Sequence, residues 1–183
     1  MAPIVDPWRK IKGVYKPFPE IDLNPKNTCL LIIDMQYMDA HKDYGMVKIA
    51  RENGLNEEMD YYTKRLDFII CNIKKLLNKC REKKYEIIHV KIEALTQDGR
   101  DRSKRHKEVA GFHYGKISSL DTEILEELSP LPDEIVIPKT CSGVFHCTNI
   151  QQVLLNIGIE TLIVVGVCTN DSVDSSVRGA TDT

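Results

Sequence analysis

Leu30-Leu31-Ile32-Ile33-Asp34, Ile135-Val136-Ile137-Pro138-Lys139 and Ile163-Val164-Val165-Gly166-Val167-Cys168-Thr169-Asn170-Asp171-Ser172 decide the fold of this chain. Each is a run of β-branched and aliphatic residues that ends on, or leads into, a polar residue. Continuous rather than alternating apolar character marks a strand covered on both faces, as in a parallel sheet. In such a sheet the strand C-terminal ends line the ligand crevice. The carboxylate of Asp34, the ammonium of Lys139 and the hydroxyl of Ser172 are therefore expected at one edge of one sheet.

The segments between these strands read as helices. From Asp60 to Lys83, Tyr62, Leu66, Ile69, Ile70, Ile73, Leu76, Leu77 and Cys80 recur at three- and four-residue steps, giving one apolar stripe. Lys79, Arg81, Lys83 and Lys84 close it, where cations offset the helix dipole. Further strands are expected at 28–33, 85–92, 134–137 and 161–165, with helices at 121–128, 148–157 and from Asn170 onward, the last with Val173, Val177 and Ala180 on its apolar face. Gly158 stops the helix at 148–157, the usual residue just past a helix end. Segments 35–58 and 93–118 are polar and read as long functional connections. Strands alternating with helices imply right-handed βαβ units. The expected fold class is α/β, a three-layer α/β/α domain with a mainly parallel, Rossmann-like sheet. It would span 28–183, after an irregular Pro-rich extension, 1–27, that wraps the surface.

Composition narrows the function. A chain of 183 residues suits one domain. Its 42% hydrophobic and 28% charged residues are ordinary for a soluble protein. A net charge of −2 makes no electrostatic case for nucleic acid or an anionic membrane surface, so neither partner is expected. The basic run Arg100–Lys107, broken by Asp101, reads as a solvated loop, or else as a lid over substrate. No apolar stretch approaches the ~20 residues of a membrane span, and Met1–Pro17 has no secretory pattern. Six cysteines without paired CxxC spacing fit reduced, mostly buried thiols in a cytoplasmic protein.

The converging residues have a defined chemistry. An aspartate at the end of a buried strand is poorly solvated, which raises its pKa and makes it a usable general base. A neighbouring ammonium favours an anion at a nucleophile. Position 172 opens the last helix, where backbone N–H groups stabilise negative charge. A cysteine there would be doubly activated, since helix N-termini and cations lower thiol pKa from about 8.5 to roughly 3.5–7.5. Serine gains far less, because its alcohol starts much higher. Asp34 as a plain turn cap, Lys139 as a surface lysine and Ser172 as a helix-start serine remain the structural alternatives.

Ile32-Ile33-Asp34-Met35-Gln36, the 138–145 motif Pro-Lys-Thr-Cys-Ser-Gly-Val-Phe and the 166–173 motif Gly-Val-Cys-Thr-Asn-Asp-Ser-Val together resemble the isochorismatase-like cysteine hydrolases. The likeness covers about 28–180 and is closest to members cleaving biuret and ureidoacrylate, whose loops resemble 95–102. It implies hydrolysis of a small ureido, carbamoyl or amide C–N bond through an acyl-enzyme, without cofactor, in a homodimer or homotetramer. Asp34 would be the base, Lys139 its cationic partner, and the nucleophilic cysteine falls on Ser172. Backbone N–H groups of Cys168 and Ser172 would form the oxyanion hole, with a cis bond at Val167–Cys168. Cys168 is the rival nucleophile, four residues earlier. Gln36, Phe145 and Arg100 are candidate substrate contacts, although plain packing suits the first two equally.

Two departures stand out. Serine in the cysteine slot implies an intact pocket with very low turnover. The alternatives are vinyl ether cleavage of the isochorismatase type, needing Asp34 without a thiol, or a non-catalytic binding relative. The family also continues past this helix with another strand and helix, so an edge of the sheet is expected to be missing. Zinc-dependent relatives carry Asp-x-His after the second strand, but Ile92-Glu93-Ala94-Leu95 stands here, and no metal is expected. His89 reads as a core histidine.

Overall fold

In the computed structural model of the protein, which describes residues 21–109 and 119–183, β1 (Thr28–Ile33) is buried along its whole length. Successive side chains of a strand point to opposite faces, and here each set meets its own apolar cluster. Leu30 and Ile32 join Leu66, Ile73 and Leu77, whereas Cys29, Leu31 and Ile33 join Val144, Ile150 and Leu154. A strand with a core on each side needs helices on each side, which makes this the expected three-layer α/β/α architecture.

The chain leaves β1 through α1 (Tyr37–Ala40) and α2 (Gly45–Glu52) into the long α3 (Asn56–Lys83), then enters β2 (Glu86–Ile92). α4 (Lys104–Val109) follows, with two 3-10 turns at Leu120–Thr122 and Glu126–Leu128 before β3 (Ile135–Lys139). α5 (Val144–Cys147) and α6 (Ile150–Asn156) lead to β4 (Thr161–Gly166), a π-helical turn (Thr169–Val173) and α7 (Asp174–Thr181). Among the described residues the strands form one sheet in the order β3-β2-β1-β4, every neighbouring pair parallel. α3 lies on one face and α5 and α6 on the other, as right-handed crossovers require once the direction of strand addition reverses.

Local chemistry explains most boundaries. α3 starts four residues before the expected Asp60, with Glu57 and Glu58 in its first turn, where acidic side chains suit the positive helix end. It stops at Lys84, which adopts left-handed geometry (φ 59°) while its N–H bonds to Arg81 O. β4 lies flush on β1 because Gly166, at φ 137°, has no Cβ; one there would collide with the Ile33 carbonyl oxygen.

Three expectations are corrected. The helix expected at 121–128 is two separate 3-10 turns. The backbone between them is drawn to the exit of β1: Tyr37 N donates to Glu123 O and Leu125 N to Met35 O, at 3.1 and 2.9 Å. Those bonds compete with helix closure, and the tertiary partners win. The polar connections, read from sequence without elements of their own, contain short helices: α1 and α2 in 35–58, and α4 in 93–109. The last helix buries Ser176 and Gly179, while Val177 is 40% exposed. Small residues let α5 approach: a Cβ on Gly179 would stand 2.8 Å from Phe145 Cβ, and Val144 N donates to Ser176 Oγ at 3.3 Å.

Among the cysteines, Cys29 and Cys80 are buried, but Cys71 is exposed on α3. His89 is a buried β2 residue 3.1 Å from Glu134, which holds Arg81 in a two-point ion pair. The surface-wrapping reading of 1–27 lies, over residues 1–20, outside the described residues, as does the 110–118 part of the second connection. Among the described residues no helix is long and apolar enough to cross a membrane.

Candidate active site

The strand order places a topological switch beside β1: β2 and β3 extend to one side and β4 to the other. Crevices in open parallel sheets lie beyond the strand C-termini at such a point. Asp34 is the first residue after β1, Lys139 ends β3, and Cys168 to Ser172 follow β4. Register explains why the cation is a lysine. Lys139 pairs with Ile92 and Ile33 with Val90, so Lys139 lies one residue further along the sheet than Asp34 and two strands away. Two strand spacings are about 10 Å, a gap that a long side chain crosses over the end of β2.

The three side chains do meet. Lys139 Nζ stands 2.9 Å from Asp34 Oδ2 and donates to Ser172 Oγ at 3.1 Å and to Cys141 O at 3.0 Å. Lys139 is 0% exposed, Asp34 1% and Ser172 3%. The Asp34 contact is an ion pair off the ideal hydrogen-bond line, since neither carboxylate oxygen has an aligned donor among the described residues. Asp34 itself is left-handed (φ 53°), an uncommon conformation that Asp tolerates better than most residues. The bend lets Asp34 O accept from Gln36 N at 2.8 Å and turns the chain off the sheet. Burial pushes the Asp34 carboxyl above the ordinary carboxylate range, and the Lys139 charge and Ser172 hydroxyl offset this only in part.

Ser172 belongs to the π-helical turn and not to a regular first helical turn. The peptide bond Val167–Cys168 is cis. Cys168 lines the same cavity, and burial, with the Asp39 charge nearby, pushes its thiol up to about 11. A thiol held that high is a weaker nucleophile at neutral pH than a free one.

Above this floor opens a cavity of about 560 Å³, within the usual range for small-molecule sites. Met46, Ile49 and Ala50 of α2, with Leu55 and Ile92, form an apolar wall. Opposite stand Arg105 and His106 of α4 and Asp171 of the π turn. Arg105 Nη1 donates to Asp171 Oδ1 and Oδ2 at 2.9 and 3.1 Å and to Ser142 Oγ at 3.0 Å. His106 Nδ1 lies 3.1 Å from Ser103 Oγ. Burial, then the Lys139 and Arg102 charges, push its imidazole below the usual histidine range.

The structure places the remaining candidate contacts away from the cavity. Gln36 is 0% exposed and does not line the cavity: its amide donates to Ile92 O and Thr122 O at 3.0 and 2.8 Å and accepts from Ile92 N at 2.7 Å. It stitches β1's exit to β2, and its hydrogen-bonding capacity is spent on backbone. Phe145 lines a separate hollow with Leu154, Val164 and Val177 on the opposite helix layer. Arg100 is exposed and paired with Asp98 at 3.0 Å, away from the cavity. The basic run contributes Arg105 and His106 instead. Alternation of charge hid them; the position of α4 over the sheet edge, set by tertiary packing, is what selects these two. Among the described residues no group of three or more His, Cys, Asp or Glu side chains is disposed to hold a metal.

Comparisons with known proteins agree with this fold. Residues 28–183 match the family model described as the isochorismatase domain. Ureidoacrylate amidohydrolase RutB of Rhizobium rhizogenes (strain K84) is 30% identical over 182 residues, 87% of this chain and 67% of that protein. RutB of Agrobacterium fabrum (strain C58) is 28% identical over 181 residues, 87% of this chain and 72% of that protein. The solved structure of a cysteine hydrolase from Pseudomonas syringae pv. phaseolicola superposes with a TM-score of 0.71 at 23% identity, covering 92% of this chain and 72% of that one. The structural likeness speaks for the fold, and the sequence matches for descent. On the match across the whole of 28–183, the chain belongs to the isochorismatase family of hydrolases.

Proposed function

We propose that this protein's site is that of an amidohydrolase that cleaves a non-peptide C–N bond in a small ureido, carbamoyl or amide compound, with residue 172 in the nucleophile position. Asp34 takes the proton from residue 172, and the freed oxygen or sulfur attacks the carbonyl carbon. Backbone N–H groups of Cys168 and Ser172 receive the oxyanion. Asp34 then returns the proton to the departing nitrogen as the C–N bond breaks. Water, deprotonated by the same carboxylate, releases the acyl group. Lys139 keeps Asp34 ionised and supplies a positive field at the attacking atom.

The observation that carries this reading is the contact of one buried ammonium with both Asp34 Oδ2 and Ser172 Oγ, at 2.9 and 3.1 Å, on the floor of a ligand-sized cavity. With serine at 172 the attacking group is an alcohol, whose pKa lies far above that of a thiol. Turnover is therefore very low and binding is retained. The decisive experiment is S172C, assayed for ammonia release against biuret, ureidoacrylate and N-carbamoyl amino acids. A gain in turnover of two orders of magnitude or more supports the reading. Silence of both forms across the panel refutes it, and cleavage of a vinyl ether by the serine form, abolished in D34N, replaces it with the isochorismatase-type reaction.

A further inference from the structure

We infer that Cys141 and Cys147 form a redox-active dithiol site that closes to a disulfide by exchange with a small-molecule disulfide, and that closure acts on Lys139 through the Cys141 carbonyl. Neither cysteine lines the cavity, and neither takes part in the hydrolysis proposed above.

Two sulfurs converge on one oxygen. Cys141 Sγ and Cys147 Sγ each donate to Gly143 O at 3.5 Å, and the two thiols also hydrogen-bond with each other. His146 N donates to the same oxygen at 3.1 Å. A carbonyl oxygen has two lone pairs and a thiol is a weak donor, so the amide keeps its place and the sulfurs are the donors most readily released. A tight turn between β3 and α5 brings them together. Gly143 sits within it, where a Cβ would stand 2.7 Å from His146 Nδ1 and 3.3 Å from Ser175 Cβ. Both cysteines keep partial solvent exposure, which an incoming reagent needs, whereas Cys29 and Cys80 are buried.

The exchange runs in two displacements. Burial, then the adjoining Cys147 thiol, pushes the Cys141 thiol up to about 11, so Cys141 keeps its proton and Cys147 attacks first. The Cys147 sulfur gives its proton to water and bonds to one sulfur of the reagent. The reagent's S–S bond breaks, and the departing thiolate takes up a proton. Cys141 then loses its proton and attacks the Cys147 sulfur, expelling the second reagent thiolate. The protein pair gives up two electrons and two protons, and the reagent disulfide becomes two thiols.

The loop yields to closure more readily than the helix does. Cys147 ends α5, where Val144 N donates to Ser176 Oγ at 3.3 Å and Val144 O accepts from Thr148 Oγ1 at 2.7 Å. Cys141 lies in the bend after β3, and the approach to an S–S bond of about 2.05 Å is taken up there. Cys141 O accepts from Lys139 Nζ at 3.0 Å, and that ammonium also contacts Asp34 and Ser172. Moving the carbonyl therefore shifts the cation on which the site is built.

The test uses the full chain carrying C71S, which removes the exposed thiol of α3. Folded protein is incubated with excess oxidised glutathione, quenched with acid and weighed intact by mass spectrometry. The expected result is loss of two hydrogen atoms, reversed by dithiothreitol, with the bond mapped after chymotryptic cleavage at Phe145, between the two cysteines. C141S and C147S should each abolish that loss. In protein labelled with nitrogen-15 at lysine, the Lys139 Nζ signal should move on oxidation, return on reduction and stay fixed in C147S. A bond from either residue to another cysteine, a glutathione adduct that never closes, or no reaction overturns the dithiol site. A closed disulfide with an unmoved Lys139 signal overturns the link to Lys139. Neither readout requires turnover, so a failed S172C assay against the amide panel is a separate result.

Discussion

Lys139→Met isolates the energetic centre of the site. Methionine keeps most of the apolar stem and removes the ammonium, so the Asp34 carboxylate, 1% exposed, loses its counter-ion, and Cys141 O loses a donor. Breaking one side of a buried pair costs about 3–5 kcal/mol. The carboxylate has one escape, which is to take up a proton. From an unfolded pKa near 3.9, that escape caps the charge penalty at about 4 kcal/mol at pH 7. The cap falls by about 1.4 kcal/mol for each unit of acidification and vanishes near pH 4. The raised Asp34 carboxyl means that the wild type already bears part of this charge penalty, so K139M should lose at most about 3–4 kcal/mol at pH 7 in urea denaturation, or up to about 6–16 °C in Tm for a domain of this size, and much of that loss should disappear by pH 4.5. The double variant D34N/K139M, with no charge left to strand, should recover at least 2 kcal/mol relative to K139M, measured as a double-mutant cycle. A K139M penalty below about 1 kcal/mol, or one that does not change with pH, would mean that Asp34 is already neutral opposite Lys139, and the ion-pair description would be abandoned.

Further outcomes follow from the same geometry. Gln36→Glu replaces a donor to two buried carbonyls by an acceptor and should destabilise by about 2–4 kcal/mol in urea denaturation without altering the cavity lining; near-wild-type stability would show that the stitch carries no load. Gly166→Ala sets a methyl against the Ile33 carbonyl at a φ unfavourable for alanine, so β4 should detach, seen as early amide exchange in both β1 and β4. Burial holds His89 below its usual range, against the pull of Glu134. The unfolded chain, with a pKa near 6.5, thus binds the proton first, and stability falls as pH drops below about 6.5. H89Q should flatten that acid slope by up to ~1.4 kcal/mol per pH unit, and an unchanged slope would assign the acid sensitivity elsewhere. In S172C the raised carboxyl of Asp34 should place the acid limb of the rate profile above the ordinary carboxylate range; a limb near pH 4 would exclude Asp34 as the base.

The apolar runs at 28–33, 135–139 and 161–166 carried the sheet and its parallel sense, because strand length and double-sided burial are written into consecutive residues. Asp34, Lys139 and Ser172 were legible for the same reason: each ends or follows such a run, and strand ends of a parallel sheet converge whatever the loops do. Arg105 was not legible. Its anchor, Asp171, lies 66 residues away, and nothing in a stretch of mixed charge says which cation a short helix will turn toward a cavity. Gln36 shows the converse, since a glutamine one turn past a catalytic strand looks like a ligand contact until its partners, 56 and 86 residues on, are seen to be backbone. Patterns of period two and about four are local and survive reading along the chain. Hydrogen bonds between distant segments are settled only when the layers close, because burial then decides which polar group must be satisfied and by whom.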